Sequence, residues 1–306
     1  MSHWSILGSG VSALCVATAL RAHGESIEMI VSEQPSASYF AGGMLAPFCE
    51  AEAAPHFKNL CDFDAIKWWK RHTQQVIQHG TLVLAPQRDH VELSRFAART
   101  IQHQRVVPAQ LEADLTHFAQ GLFFKDEAHL DPRLALAELK HHLIQHDVPI
   151  HQGQASGRII DCRGIYAQDQ MPLRAVRGEM LILEQPEVHL SRPIRFLHPR
   201  FACYLVPRQN GQFMLGATML ESDSRQPISV RSSMELLNAA YAIHPAFAEA
   251  HIVETGVGLR PAYQDNIPKI SYHNQIFYIN GMHRHGFLCA PWLAEQLIQH
   301  IAGSAT

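Results

Sequence analysis

The chain has 306 residues, of which 47% are hydrophobic and 17% are charged, and its formal net charge at pH 7 is -3. This length and composition predict a globular protein that buries a substantial core in one large or two smaller domains. A near-neutral charge balance excludes the basic surface that drives binding to nucleic acids or membranes, so we expect a small-molecule partner.

The first predicted elements form one βαβ unit. Residues 5–31 run as a short apolar strand, a glycine turn, a helix of small residues and a second strand, "SIEMIVS". The change from strand-like to helix-like periodicity identifies these elements, and two strands joined through a helix are typical of a parallel pair. The glycine turn therefore lies at a strand-to-helix junction.

Helices and strands continue to alternate along the next part of the chain. An amphipathic pattern predicts a helix over residues 62–78 that begins at Asp62. A strand over residues 80–86 follows a glycine break. We then expect a helix over residues 89–103.

A strong helix signal follows, and the pattern then changes to β structure. Residues 131–147 predict a helix with Asp131 as N-cap and Pro132 in its first turn, and "GRIIDCRG" predicts a short buried strand after it. From residue 166 to residue 220 short apolar runs predict strands, among them "RGEMLILE" and "CYLVPRQNGQFMLGAT". The Asn210-Gly211 pair in the second run is typical of a hairpin turn.

The C-terminal part predicts a return to helices and strands. We expect a helix over residues 231–249, a strand over residues 275–281 and a helix over residues 290–303 that ends in glycine. Parallel βα elements at both ends with a β-rich insert predict an α/β fold, in which a Rossmann-type domain is interrupted by a substrate domain. We assign the first domain to residues 1–80, 125–165 and 255–306, and the second, an antiparallel sheet with helices, to residues 81–124 and 166–254.

The glycine turn matches the dinucleotide fingerprint G-x-G-x-x-G/A. Gly8 permits the tight turn, Gly10 lets the backbone approach a pyrophosphate, and Ala13 lets the helix pack on the strand. The helix N-terminus, where Ser12 lies, offers N–H groups and the positive end of a dipole. Taken alone the motif leaves a strand–turn–helix without a ligand open as the alternative.

The fingerprint also requires an acidic residue at the end of the second strand, to hold a ribose hydroxyl. Val31 occupies the usual position and cannot accept that hydrogen bond. Ser32 and Glu33 follow directly, and we expect them to substitute for it by a small shift in register. This is the first departure from the motif.

Histidines and cysteines predict no metal site. The six cysteines are scattered without a CxxC pair or a zinc-like spacing, which predicts free thiols in a reducing compartment. Among the 21 histidines, His142 and His146 lie four residues apart on a predicted helix and could hold a metal. A solvated helix face is the favoured interpretation, because no third ligand lies at a suitable spacing.

The sequence also predicts a cytoplasmic protein. Its apolar N-terminal stretch lacks a basic leader and is interrupted by Gly8 and Gly10, unlike a secretory signal. No segment approaches the ~18 unbroken apolar residues that cross a membrane. We therefore expect no membrane partner.

Four further segments resemble the signature stretches of the D-amino-acid oxidase superfamily of FAD enzymes. They are "ASYFAGGMLAPFCE" (37–50), "CYLVPRQNGQFMLGATM" (203–219), "GVGLRPAYQDNIPKI" (256–270) and "INGMHRHGFLCAPWLAEQL" (279–297). Within the superfamily the sequence is most similar to the glycine oxidases of thiamine biosynthesis. The stretches "DPRLALAELKHHL", "AVRGEML" and "GTLVLAPQRD" extend this resemblance over most of the chain, in the same order.

The resemblance implies a two-domain flavoprotein whose Rossmann-type domain binds FAD. In such enzymes a small amino acid gives its Cα hydrogen as hydride to flavin N5, and the resulting imine hydrolyses to an oxo acid. Oxygen or another acceptor then reoxidises the flavin, in the oxygen case with release of hydrogen peroxide. The cofactor carries the chemistry, and the protein supplies binding and orientation.

The resemblance also implies four catalytic residues. Arg260 matches the arginine that holds the substrate carboxylate, a task for which a planar cationic fork is well suited. Arg284 matches a second arginine near the pocket, and Tyr204 matches a tyrosine whose hydroxyl helps to hold the carboxylate. Met219 matches a methionine that lines the pocket, with core packing as the alternative.

By the same resemblance, two loops contact the flavin. Gly42, Gly43 and Met44 match the loop that approaches the ring, where small residues permit close backbone contact. The loop bracketed by Gly281 and Gly286 matches the one that faces the pyrimidine end. The further cofactor-binding residues that we assign are Gly164, Met282, His283, His285, Phe287 and Leu288.

Two more departures from the family pattern concern the cofactor. The family loop has the form G-H-aromatic-R-x-G, whereas Met282 stands here at the histidine position and His283 at the aromatic one. A β-meander that the family carries near the adenine half of FAD is almost absent between "VPIHQGQ" and "RIIDCRG". The loop change alters the groups near the flavin carbonyls, whereas the missing meander, together with Val31, makes the adenine side the most divergent.

Three functions stay open on the sequence alone. The first is a glycine-oxidase-like enzyme that serves thiazole synthesis and uses a small amino acid with oxygen or another acceptor. The second is an FAD enzyme for another amine, such as sarcosine or a larger D-amino acid, although Tyr263 is expected to narrow the pocket. The third is a degenerate, non-catalytic binding protein. Contact with a thiazole synthase and homo-oligomer formation also stay open.

Overall fold

The computed structural model describes residues 3–54, 64–86, 89–197 and 202–303. Its helices are α1 (Val11–Ala22), α2 (Pro47–Glu50), α3 (Ala65–His72), α4 (His90–Arg99), α5 (Pro132–Gln145), α6 (Val230–Ile243) and α7 (Gly286–Gly303). Its strands are β1 (His3–Leu7), β2 (Ser26–Ile30), β3 (Met44–Leu45), β4 (Thr81–Leu84), β5 (Gln104–Val106), β6 (Gly121–Phe124), β7 (Ala128–His129), β8 (Ile150–His151), β9 (Arg158–Asp161), β10 (Arg174–Glu184), β11 (Ile194–Leu197), β12 (Ala202–Pro207), β13 (Gln212–Gly216), β14 (Leu220–Glu221), β15 (His251–Ala262), β16 (Lys269–His273) and β17 (Ile276–Asn280).

One sheet carries the glycine turn. Its strand order is β16-β17-β9-β1-β2-β8, and β1 lies in parallel between β2 and β9. Trp4 and Ile6 of β1 are fully buried, as expected for a central strand covered on both faces. Helix α1 packs against α7 and α5. The predicted βαβ unit at the N-terminus is confirmed.

A second sheet forms the opposite wall of the molecule. It has the order β14-β10-β13-β12-β11-β4-β6-β5, and β15 pairs with β10 along its length in antiparallel fashion. The register places Gly178 opposite Gly258 and Val176 opposite Arg260. The hairpin between β12 and β13 turns at Asn210 and Gly211, whose φ angles of 58° and 68° confirm the predicted turn.

Most other predicted elements are confirmed with shifted ends. Asp131 caps α5 by accepting hydrogen bonds from the backbone N–H groups of Arg133 and Leu134. Helix α4 ends at Arg99 rather than at residue 103, and α7 begins at Gly286, four residues before the predicted start. Strand β15 was not predicted, because its run "ETGVGLRP" contains two glycines and a proline that weaken the β pattern.

The predicted helix over residues 62–78 is wrong in extent. Asp62 lies outside the described residues, and α3 is capped by Asp64, whose Oδ1 accepts a 2.8 Å hydrogen bond from the Lys67 N–H. The helix ends at His72, and the hydroxyl of Thr73 then donates to Glu138 of α5. The backbone N–H of Gln74 binds the same carboxylate at 2.9 Å. Tertiary hydrogen bonds therefore end the helix where the local pattern would continue it.

A six-residue connection, residues 152–157, replaces the family's meander between β8 and β9. Buried Glu28 fastens it to the sheet by accepting hydrogen bonds from the N–H of Ser156 at 2.8 Å and from its hydroxyl at 2.9 Å. Burial raises the pKa of Glu28, but hydrogen bonds from Ser5, Ser156 and His151 outweigh it and lower the pKa to about 2. The domain boundaries assigned from the sequence stay a prediction.

Within the described residues, no helix combines the length and apolar character needed to cross a membrane. The five described cysteines are all buried and free, in agreement with the expected thiols, and Cys61 lies outside the described residues.

Candidate active site

A cavity of about 510 Å³ opens between the two sheets. One wall is formed by the carboxyl ends of β1, β2 and β9 with the first turn of α1, and the other by β10, β12, β13 and β15. The carboxyl edge of a parallel sheet is where ligands bind in open α/β folds. The fold therefore brings the predicted cofactor turn and the predicted substrate residues to one space.

The glycine turn presents bare backbone to the cavity. Gly8 has a φ of +123°, and a Cβ there would lie 2.6 Å from the carbonyl oxygen of Cys162, so no side chain fits. Gly10 is the N-cap of α1. It has no side chain that could accept hydrogen bonds from the N–H groups at the start of the helix. The N–H of Val11 donates to Ser38 Oγ at 3.1 Å. The first turn of α1 can hold the phosphates of a dinucleotide.

A second backbone wall is the loop that contains Gly42, Gly43 and Met44. Gly43 has a φ of +73°, and a Cβ there would overlap the carbonyl oxygen of Leu130. Arg208 Nη2 donates to the carbonyl oxygen of Gly42 at 2.9 Å and fixes the loop. Two consecutive glycines suit close backbone contact with a flat ring.

The C-terminal loop closes the cavity. Residues 282–288 all line it, and the N–H of His283 donates to the carbonyl oxygen of Pro261 at 2.9 Å. Burial, with repulsion from Arg260 and Arg284, lowers the pKa of His283 to about 3. The imidazole that replaces the family's aromatic residue is therefore neutral at physiological pH.

Tyr263 does not narrow the cavity, contrary to the expectation from sequence. Its ring covers Gly281, where a Cβ would collide with it, and neither residue lines the cavity. Gly281 adopts a φ of +81°. The pair shapes the backbone before the C-terminal loop rather than the pocket itself.

Arg260 is the cation of the cavity that lacks an acidic partner among the described residues. It projects from β15, and its Nη1 donates to the carbonyl oxygen of Thr218 at 3.0 Å. Burial and the nearby charge of Arg284 lower its pKa to about 10, so it stays protonated at neutral pH. A half-buried cation without an ion pair is costly unless a ligand supplies a counter-ion.

Arg284 and Tyr204 have a protein partner instead. Arg284 binds Glu50 Oε2 through Nε at 2.8 Å and Nη2 at 2.6 Å, and the Tyr204 hydroxyl donates to Glu50 Oε1. His285 Nδ1 lies 3.2 Å from the same carboxylate. Burial raises the pKa of Glu50, but Arg284, His285 and Arg195 together hold it well below its usual range.

Sequence reasoning missed Glu50, although it ends one of the signature segments. It lies in α2, is 5% exposed and lines the cavity. The available signal was an acidic residue directly after the apolar run "APFC". Gly178 was also missed, and it too lines the cavity.

A second buried carboxylate, that of Glu127, is hydrogen-bonded to the backbone of α2. Glu127 is fully buried and accepts a 2.7 Å hydrogen bond from the N–H of Cys49. Burial, assisted by repulsion from Glu50, raises the pKa of Glu127 to about 8. It is therefore mostly protonated at neutral pH.

This raised pKa predicts a pH-dependent stability. The folded protein holds the Glu127 proton more tightly than the unfolded chain, whose glutamate has an ordinary value of 4.5. The contribution to stability is thus complete below about pH 4.5 and lost as the pH rises through about 8. The free energy of unfolding of Glu127→Gln minus that of the wild type should rise by up to about 1.4 kcal/mol per pH unit in this window.

Urea unfolding at saturating FAD between about pH 5 and 8 measures that difference. The exposed Glu187→Gln serves as the matched control and should show none. A constant difference for Glu127→Gln across the window would contradict the assignment of a raised pKa.

The structure brings most of the predicted site residues to the cavity. The predicted residues that line it are Gly8, Gly10, Ser12, Ser32, Gly42, Gly43, Met44, Gly164, Tyr204, Met219, Arg260, Met282, His283, Arg284, His285, Gly286, Phe287 and Leu288. Ala13 is fully buried beneath the turn, where it lets α1 pack on the sheet. Glu33 is exposed and accepts from Gln152 Nε2 at 3.4 Å rather than facing the cavity.

The described residues contain no group of three histidine, cysteine, aspartate or glutamate side chains that could hold a metal ion. His142 and His146 stack with ring centroids 4.2 Å apart, and His146 Nδ1 lies 2.8 Å from the carbonyl oxygen of His142. Their contact is local to the surface of α5.

A glycine turn at the carboxyl ends of parallel strands, facing a cavity walled by a second sheet, is typical of dinucleotide-dependent oxidoreductases. Arg260, which has no ion pair among the described residues, lies in the wall of the same cavity. The chain belongs to the DAO family of FAD-dependent oxidoreductases, whose model matches residues 3–300. Its cofactor is FAD.

The chain is similar to named relatives along nearly its whole length. It is 46% identical to the putative thiamine biosynthesis oxidoreductase ThiO of Rhizobium etli, over 96% of this chain and 94% of that protein. It is 26% identical to the bifunctional protein ThiO/ThiG of Synechocystis, over 94% of this chain and 49% of that protein. The structure of glycine oxidase from Bacillus cereus has the same fold, with a TM-score of 0.82, 18% identity and coverage of 99% and 98%. The predicted fold class is thus confirmed.

The residues present fit FAD. Gly8, Gly10 and Gly43 line the cavity with backbone alone, and the start of α1 offers N–H groups to a phosphate. Beyond β2 the cavity is lined by Val31, which cannot bind a ribose hydroxyl, and by the adjacent Ser32. We propose that Ser32 supplies the ribose contact that the missing acid makes elsewhere.

Proposed function

We propose that this protein oxidises glycine or a similarly small amino acid at Cα, giving an imine that hydrolyses to an oxo acid, with oxygen or another compound as the final electron acceptor. The observation that supports it most directly is Arg260, a cation without an acidic partner among the described residues, in the wall of the FAD cavity. FAD supplies the hydride acceptor when it is bound. Arg260 orients the amino acid by its carboxylate.

The neighbouring residues suit the amino group and the size of such a substrate. Neutral His283 lies in the same wall and can accept a hydrogen bond from the amine. Tyr204, buried and held by Glu50, bounds the space beside Arg260. The other charged side chains of the wall are engaged in ion pairs, which favours an amino acid with one carboxylate over one with a charged side chain.

A second candidate, oxidation of an N-substituted glycine such as sarcosine, is favoured by Met219. This residue lines the cavity yet is 39% exposed, so one wall is open to an additional methyl group. The same Arg260 would bind the carboxylate of either substrate.

The 46% identity to a thiamine biosynthesis oxidoreductase supports a role in the supply of the thiazole precursor. The relative ThiO/ThiG joins a segment like this chain to further sequence of similar length. We propose that the product passes to a thiazole synthase, and that the protein acts in the cytoplasm.

The test is an anaerobic titration of the FAD-loaded protein, followed by visible absorption. Glycine should bleach the flavin bands, sarcosine should do so to a measurable extent, and bulky D-amino acids should not. Acetate, which has the carboxylate without the amine, should perturb the spectrum without bleaching it. A flavin that no small amine reduces would overturn the proposed function.

A further inference from the structure

Two arginines of the cavity wall, Arg284 and Arg260, differ in their ion pairing. Arg284 is held by Glu50 through two short contacts, whereas Arg260 has no ion pair among the described residues. Both arginines line the same cavity. The charge of Arg284 helps to lower the pKa of Arg260, because two like charges share one low-dielectric space.

Glu50 causes this difference, because it forms an ion pair with Arg284. Its Oε2 receives both Arg284 contacts, and its Oε1 receives the Tyr204 hydroxyl and faces Arg195 Nη1 at 3.6 Å. With His285 at 3.2 Å, both carboxylate oxygens are occupied. Glu50 is thus a fixed counter-ion rather than a free group in the cavity.

Among the described residues, Arg260 is the charged group of the cavity wall that has no ion pair. The fourth charged residue there, Arg163, is paired with Asp161 through Nε at 2.9 Å and Nη2 at 2.7 Å. The Arg284–Glu50 pair also cancels, and the wall retains the charge of Arg260. One unpaired cation matches a ligand with one carboxylate, and a second anionic group would meet no free cation.

We propose that Glu50 is a specificity-determining residue, which neutralises Arg284 and so restricts the site to amines that carry a single carboxylate. Removal of its charge releases Arg284 as a second anion-binding group beside Arg260. The variant site then selects a dicarboxylate amine, such as iminodiacetate, over glycine. The claim that the ligand is an oxidisable amine rests on the proposed function. The claim that the site prefers one carboxylate to two rests only on the charges and contacts of the cavity wall.

The experiment compares Glu50→Gln with Glu52→Gln. Glu52 is a matched control because it lies two residues away, pairs with Arg99 at 3.1 Å and Arg195 at 3.7 Å, and does not line the cavity. Glycolate and oxydiacetate, a monocarboxylate and a dicarboxylate without a reactive amine, are titrated into the FAD-loaded proteins and followed by the perturbation of flavin absorption. Turnover of glycine and iminodiacetate is measured in parallel.

In Glu50→Gln the ratio of the oxydiacetate Kd to the glycolate Kd should fall at least about tenfold, as one added charge-assisted contact requires. The ratio in Glu52→Gln should equal that of the wild type, and Glu50→Asp, which keeps the charge, should stay within a few-fold of it. Equal weakening of both ligands in Glu50→Gln, or an equal shift in Glu52→Gln, would assign Glu50 a structural role only and overturn the proposal.

A double variant covers the case in which Glu50→Gln retains no FAD. Glu50→Gln with Arg284→Gln removes the pair as a unit, leaves Arg260 as the free cation, and should keep the wild-type preference for glycolate. Tighter binding of oxydiacetate by this double variant would overturn the proposal. The anion titrations decide the matter even where no amine is oxidised, so failure of the proposed function and failure of this inference are separate results.

Discussion

Replacement of Arg260 by methionine should stabilise the folded protein and at the same time remove its affinity for carboxylate substrates. The arginine is a cation without an acidic partner among the described residues, and burial lowers its pKa to about 10. An apolar side chain of similar length avoids that desolvation cost. We therefore expect Arg260→Met to raise the free energy of unfolding by about 1 kcal/mol. Loss of the carboxylate contact should lower kcat/KM by roughly 10²–10⁴-fold.

Arg284→Met is the matched control, since it makes the same replacement in the same cavity. Here the arginine is paired, and its removal leaves Glu50 buried without its closest counter-ion. Breaking a buried ion pair from one side costs about 3–5 kcal/mol. The two variants are therefore expected to shift stability in opposite directions.

Urea unfolding of both variants at saturating FAD, together with glycine titrations, checks this pair of predictions. Loss of stability in Arg260→Met comparable to that in Arg284→Met would mean that Arg260 has a structural partner. Retained affinity for glycine in Arg260→Met would remove the main support for the proposed function.

Local sequence signals were sufficient to locate several turns and caps of the fold. The turn of Gly8 and Gly10, the capped start of α5 at Asp131 and the hairpin at Asn210-Gly211 each depend on residues that are adjacent in the chain. Their backbone requirements follow from residue type, so a sequence is enough to locate them. The resemblance then supplied Arg260, which no local pattern identifies.

The charge arrangement could not be predicted, because it depends on contacts between distant segments. Glu50 and Arg284 are 234 residues apart, and Tyr204 reaches the same carboxylate from β12. From sequence Arg284 and Tyr204 are equally consistent with substrate binding. Only the fold shows that the Glu50 carboxylate already binds both side chains. The end of α3 at the Thr73–Glu138 contact has the same cause, a tertiary partner that overrides the local pattern.

Gly178→Ala should disable the site without unfolding the protein. Gly178 lies on β10 beside the strand that carries Arg260, and a Cβ at this position would lie 2.5 Å from Arg260 Cζ. The obstacle is the end of a flexible side chain, so the arginine can move aside at little cost to the fold. Displacement of the guanidinium by about 1 Å should lower kcat/KM by roughly 100-fold.

The same substitution in an Arg260→Met background distinguishes this cause from a general disturbance of the sheet. With the guanidinium absent, alanine should change the free energy of unfolding by no more than about 0.5 kcal/mol, as at an ordinary strand position. In the wild-type background it should also weaken binding of glycolate, measured by flavin absorption, in proportion to the loss of kcat/KM. Destabilisation well beyond this value in both backgrounds would show that the strand itself requires glycine. Loss of glycolate affinity and of kcat/KM with little change in stability in either background would identify Gly178 as the position that leaves room for the Arg260 guanidinium.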